Sequence, residues 1–165
     1  MSINTTVLGR RRAVLAAAVS TALVAAGVAF STQGASAASF DLAGWATQNG
    51  GTTGGGNRTP VTVNSASALI DAMQADGPAV IQVSGTISLS DMEKVSSDKT
   101  IIGAGSGATI SGGGGLNVSE AHNVIIRNLR FTGGDDDLIN VQYSTNVWID
   151  HNDFSNSSDG ALDIK

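Results

Sequence analysis

No cysteine occurs in the chain, so neither a disulfide framework nor a thiolate metal centre is open to it. Histidine is almost as scarce, with His122 and His151 the only two and no pairing between them in the sequence. Basic residues are few: 9 Lys and Arg stand against 14 Asp and Glu, for a formal net charge of −5. That balance excludes nucleic acid as a natural partner. Between Thr100 and Lys165 no stretch carries apolar residues at i, i+3, i+4 and i+7 for long enough to pack as a helix.

What the chain has in place of helices is repetition. Leu116-Asn117-Val118, Ile139-Asn140-Val141 and Leu162-Asp163-Ile164 recur at an interval of 23 residues, as do Thr86-Ile87-Ser88 and Thr109-Ile110-Ser111. Asn123-Val124-Ile125-Ile126 with Phe131 returns at the same interval as Asn146-Val147-Trp148-Ile149 with Phe154. A period of this size marks stacked units that bury their apolar faces only against one another. Each unit holds short runs of Val, Ile and Leu separated by Gly, Asn, Asp and Ser, which reads as brief strands joined by tight turns. The expected fold is all-β, a right-handed parallel β-helix with coils roughly 4.7–4.9 Å apart. Like residues then stack, and Asn123 and Asn146 are expected to form a hydrogen-bonded amide ladder.

The two ends depart from the repeat. Arg10-Arg11-Arg12 precede an apolar run from Ala13 to Phe30, and Ala35-Ser36-Ala37 supplies a small-x-small cleavage pattern, so residues 1–37 read as a secretory signal. The run is too Ala-rich, and too plainly closed by that pattern, for a membrane anchor. Arg11-Arg12-Ala13-Val14-Leu15 also resembles a twin-arginine signal, which leaves the export route open and the destination extracellular. Residues 38–165 form the mature part, with 6 basic residues against 14 acids. Ser65 to Met73, with Ser67 as N-cap and Leu69, Ile70 and Met73 on one face, reads as a helix capping the first coil. No such segment follows Leu162-Asp163-Ile164, and the chain is expected to be the amino-terminal part of a longer β-helix.

Seven of the 14 acids crowd into the last 31 residues: Asp135, Asp136, Asp137, Asp150, Asp153, Asp159 and Asp163. On the 23-residue ruler Asp159 lies over Asp136, between Asp135 and Asp137, and Asp163 lies over Asn140. Period-two alternation turns Leu162 and Ile164 inward and Asp163 outward, so three or four carboxylates converge. Carboxylates about 5 Å apart raise one another's pKa unless a cation neutralises them. An all-oxygen set suits calcium better than zinc or iron, and the pattern is not that of an EF-hand loop.

Asn146-Val147-Trp148-Ile149-Asp150-His151-Asn152 resembles a signature of the pectate lyase family of secreted β-helix enzymes. Lys99-Thr100-Ile101-Ile102-Gly103, Asn123-Val124-Ile125-Ile126-Arg127-Asn128-Leu129 and Gly50-Gly51-Thr52-Thr53-Gly54-Gly55 extend the resemblance over residues 44–165. It implies a calcium-dependent β-elimination on 1,4-linked galacturonan in pectate or pectin, by a monomer. It implies Asp135, Asp137, Asp159 and Asp163 as calcium ligands, Lys165 as a contact to a substrate carboxylate, and a catalytic arginine beyond Lys165. Arg127 and Arg130 do not match that position. His151 and Asp150 read as structural, and Trp148, stacked with Ile125 and Ile102, as a packing residue. Two other functions share a β-helix with acids: a metal-free polygalacturonase-like hydrolase, and a non-catalytic coil that binds calcium or carbohydrate.

Overall fold

The computed structural model describes residues 41–165, and the leader expected over residues 1–37 lies outside the described residues. A short 3₁₀ turn, Gly44–Thr47, is followed by β1 (Val61–Val63) and helix α1 (Ala66–Gln74). Four coils of three strands each then wind on. The first holds β2 (Ala79–Val83), β3 (Thr86–Ser88) and β4 (Met92–Lys94); the second holds β5 (Lys99–Gly103), β6 (Thr109–Ser111) and β7 (Gly115–Ser119). The third holds β8 (His122–Arg127), β9 (Arg130–Thr132) and β10 (Ile139–Gln142); the fourth holds β11 (Thr145–Asp150), β12 (Asp153–Ser155) and β13 (Leu162–Ile164). Strands in equivalent places pair in parallel. A first sheet runs β1-β2-β5-β8-β11, a second β3-β6-β9-β12 and a third β4-β7-β10-β13, which is the right-handed parallel β-helix read from the repeats.

Vertical register follows the tripeptides. Leu116, Ile139 and Leu162 stand over one another, as do Asn117, Asn140 and Asp163. Inward columns such as Ile81-Ile101-Ile126 and Ile87-Ile110-Phe131 are almost completely buried. Each such side chain gains roughly 1.5–3 kcal/mol on burial, so these columns, more than the brief strands themselves, hold coil to coil. The rings of Phe131 and Phe154 stack with centroids 5.3 Å apart.

The interval is less regular in the amino-terminal coils. Ile81 pairs with Ile101, an offset of 20, and Ile101 with Ile126, an offset of 25, because the turn after β5 is lengthened by the Ala104–Ala108 segment. The outer column under Trp148 is therefore Ile125 and Thr100, and the expected Ile102 is displaced from it. The helix also corrects an expectation. Its N-cap is Ser65, whose hydroxyl accepts from the Ala68 amide at 3.3 Å, and Ser67 lies within the first turn. Leu69 and Met73 are fully buried against the core, as its apolar face required.

Asn123 and Asn146 adopt left-handed backbone conformations (φ 59° and 51°), yet their amides do not bond to each other. Both are claimed by the glycine-rich segment before β1. The Asn123 Oδ1 accepts from the amides of Thr53 (2.7 Å) and Gly54 (2.8 Å), and its Nδ2 donates to Gly54 O and to Asp98 Oδ1. The Asn146 Nδ2 donates to Gln48 O and Gly51 O. The expected ladder gives way because unpaired backbone groups of that segment are stronger partners than a second amide. An amide ladder does form elsewhere, with Asn140 Nδ2 donating to Asn117 Oδ1 at 3.1 Å.

Lys99 is fully buried at the start of β5, and its ammonium donates to Gly77 O (2.6 Å) and Ser97 O (3.0 Å), tying two turns together. Burial lowers its pKa, and the nearby Asp98 and Asp76 charges oppose that shift. Lys99→Met would keep the stem's packing and strand both carbonyls. The expected loss is about 2–4 kcal/mol of unfolding free energy, to be read by denaturant titration.

Candidate functional site

The third sheet presents its outer face as a column of short polar side chains, because its inward positions are taken by Leu116, Ile139 and Val141. Asn117, Asn140 and Asp163 form that column over three coils. Two turns feed it from the side. The turn before β10 carries Asp135, Asp136 and Asp137, and the turn before β13 carries Asp159 and Gly160. They are laced together by backbone bonds, Ser158 N to Gly134 O (2.9 Å) and Ile139 N to Ala161 O (3.2 Å).

Carboxylate oxygens of Asp136, Asp137 and Asp159 all lie within 4.8 Å of one another. Asp137 is buried, at 7% exposure, while the other two face solvent. Gly160 makes this possible: a Cβ there would fall 2.5 Å from the Asp137 Oδ1. Asp163 and Lys165 line the same depression, with the Lys165 Nζ 2.7 Å from the Asp163 Oδ2. Asp135, in contrast, turns down onto the preceding coil, where a Cβ at Gly113 would fall 2.4 Å from its Oδ2. Of the four aspartates expected to converge, three do, and Asp136 stands where Asp135 was expected. The ruler alone had placed Asp159 over Asp136; the three successive aspartates fan out around a tight turn, so adjacent side chains reach different coils.

Burial pushes the Asp137 carboxyl above the ordinary carboxylate range, and the charges of Asp163, Asp136 and Asp159 push it further, against Lys165. The hydrogen bond to Asp163 raises the Lys165 ammonium, and its charge acts in the same direction. Asn140 and Asn117 complete the floor of the depression. Asn140 Oδ1 is buried and has no hydrogen-bond partner among the described residues. A pocket of hard oxygen donors, one of them an orphaned amide oxygen, with an ammonium standing against one carboxylate, fits a calcium ion. Asn140 was visible in the sequence only as the residue beneath Asp163; nothing in the spacing marked its free oxygen.

The remaining candidates lie on other sheets. On the first sheet, His151 Nδ1 is 2.7 Å from Asp150 Oδ1, Asp150 faces Arg127 at 3.7 Å, and the Arg127 guanidinium lies 5.3 Å over the Trp148 ring. Arg130 and Asp153 are neighbours on the second, 3.6 Å apart.

The family model described as pectate lyase matches residues 16–161. Pectate lyase plyB of Emericella nidulans is 46% identical over 123 residues, covering 73% of this chain and 37% of its own length. A pectate trisaccharide-lyase of Thermotoga maritima is 43% identical over 128 residues, covering 70% of this chain and 34% of its own. Among solved structures, a pectate lyase from Bacillus sp. N165 in complex with trigalacturonate superposes with a TM-score of 0.63 at 29% identity, over 70% of this chain and 43% of that one. The chain thus spans less than half the length of these relatives. The family match runs over most of the chain and not through one motif alone, and the chain belongs to the pectate lyase family.

Proposed function

We propose that the full-length protein is a secreted lyase that cleaves 1,4-linked galacturonan by β-elimination, with calcium held at Asp136, Asp137, Asp159 and Asp163. One observation carries this reading: acids from two successive coils meet in a pocket that buries Asp137 at a net cost to its charged form. Bound there, calcium would supply positive charge beside the uronate carboxylate and so acidify the adjacent C5–H. The chain's own part is to bind and orient. Asp136, Asp137 and Asp159, with Asp163 beside them, would hold the ion, and Asn140 Oδ1 would offer a further oxygen. Lys165, paired with Asp163 at 2.7 Å, stands at the edge of the same depression, where its ammonium would meet a substrate carboxylate. The base that takes the C5 proton is, as the family resemblance implies, an arginine beyond Lys165.

The full-length protein incubated with polygalacturonate is expected to yield an ultraviolet-absorbing unsaturated product, lost on chelation and restored by calcium. Reducing ends without that absorbance would point to hydrolysis in its place. Asp159→Asn or Asp163→Asn should weaken calcium binding by at least about tenfold. Asp153→Asn, on another sheet and beside Arg130, should leave it unchanged. Equal calorimetric affinities in all three variants would remove the site assignment.

A further inference from the structure

The depression that holds the acids does not end at them. It continues along the outer face of the third sheet, over Asn140 and Asn117, to Met92 on β4. Gly115 pairs with Met92 there, and a Cβ on it would fall 2.5 Å from Leu138 O and 2.9 Å from the Met92 Sδ, so this position admits no larger residue. Two residues along the same strand stands Lys94. Glu93 between them registers with the inward Leu116 and receives Gln74 Nε2 from the helix, so Met92 and Lys94 share the outer face. Lys94 pairs with Asn117, Asn117 with Asn140, and Asn140 with Asp163, which places the lysine in the same vertical column as the acidic pocket, three coils away. Three coils span roughly 14 Å. Lys94 is exposed and has no ion pair among the described residues. Lys99, Arg127, Arg130 and Lys165 are all engaged.

We infer that Lys94 is a substrate-positioning residue that holds a carboxylate of an acidic polysaccharide about three sugars from the unit at the acidic pocket. The inference rests on the function proposed above and adds to it the direction and length of the binding track. A 1,4-linked pyranose chain advances by close to one coil spacing per sugar, so a chain laid along the column keeps step with it. The amides of Asn117 and Asn140 line its path, Met92 offers an apolar surface to a sugar face, and Lys94 ends it with the one unclaimed positive charge of this column. Short oligomers seated at the pocket would not reach it. Long ones would.

The test measures binding of calcium-loaded full-length protein to oligogalacturonates of increasing length, under conditions too acidic for turnover, together with KM and kcat at the working pH. Wild type should bind longer oligomers more tightly, and Lys94→Gln should lose about fivefold of that gain, with the trimer, kcat and calcium affinity unchanged. Lys94→Arg should restore most of it, and Arg58→Gln, an equal charge change outside the third sheet, should have no length-dependent effect. Unchanged length dependence in Lys94→Gln, or an equal loss for trimer and hexamer, would overturn the role of Lys94 while leaving the lyase reading in place. Failure of wild type to bind any oligogalacturonate would overturn both.

Discussion

Asp137→Asn is expected to lower calcium affinity by at least about 100-fold, the upper end of what loss of a partner one step removed from a metal produces. In the same protein stripped of cations, it is expected to raise the midpoint of thermal unfolding at neutral pH. The two effects share one cause. Asp137 is buried at 7% exposure, with Asp136, Asp159 and Asp163 around it and only Lys165 to offset them. Its charged form is therefore disfavoured in the fold, and its pKa rises from the ordinary value of 3.8. A carboxyl that holds its proton more tightly folded than unfolded makes the folded state the better proton binder across the window from 3.8 up to the raised value. Stability from this group thus falls as pH climbs through that window and stays at the lower level above it. A bound calcium would remove the penalty by neutralising the carboxylate in place; asparagine removes it by never carrying the charge. Cation-free melts at several pH values should show wild type losing stability across mildly acid pH while Asp137→Asn stays flatter. A variant less stable than wild type at neutral pH without calcium would mean that Asp137 is held by contacts and not strained by charge.

That strain was only partly legible in the sequence. The 23-residue interval carried the register of the third sheet without error, because Leu116 and Ile139, both fully buried, leave a one-residue slip no way to keep the apolar face covered. The interval failed where turns change length: the offset of 25 between Ile101 and Ile126 put Thr100, not Ile102, under Trp148. Turns are also where the site lies. Whether Asp135 or Asp136 joins Asp137 depends on how three consecutive residues fan around a bend, and no periodicity fixes that. Asn140 lay in a readable column, but an amide oxygen left without a donor is a property of packing and not of spacing.

The glycines of the Gly50–Gly55 segment carried a resemblance in the sequence but no physical role, and the structure supplies one. This segment lies along the outer face of the first sheet, and its backbone comes close enough to leave no room for side chains. A Cβ at Gly55 would fall 2.2 Å from Ala79 O and 2.3 Å from Ala79 C, both rigid backbone of β2, and one at Gly54 would meet Thr100 Oγ1 at 2.1 Å. Gly54 also has φ +53°, a conformation that glycine holds without strain. Gly55→Ala therefore cannot be absorbed by a side chain moving aside. Either the segment lifts or β2 shifts, and β2 is locked between β1 and β5. Lifting breaks the bonds that Asn123 makes to Thr53 and Gly54 and that Gly55 N makes to Thr100 Oγ1, and uncovers Ile125. The expected loss is about 3 kcal/mol, the upper part of the range for overpacking a close contact. Limited proteolysis separates the two outcomes. Cleavage confined to residues 44–58 with a coil core that still melts cooperatively would mean local undocking, the result expected here. Asn146→Ala, which removes only the contacts to Gln48 and Gly51, should cost about 1 kcal/mol and open the same segment less often. Wild-type stability and protease resistance in Gly55→Ala would show that the segment is not seated against β2 and that the asparagines, rather than the close approach of glycine backbone, decide where it lies.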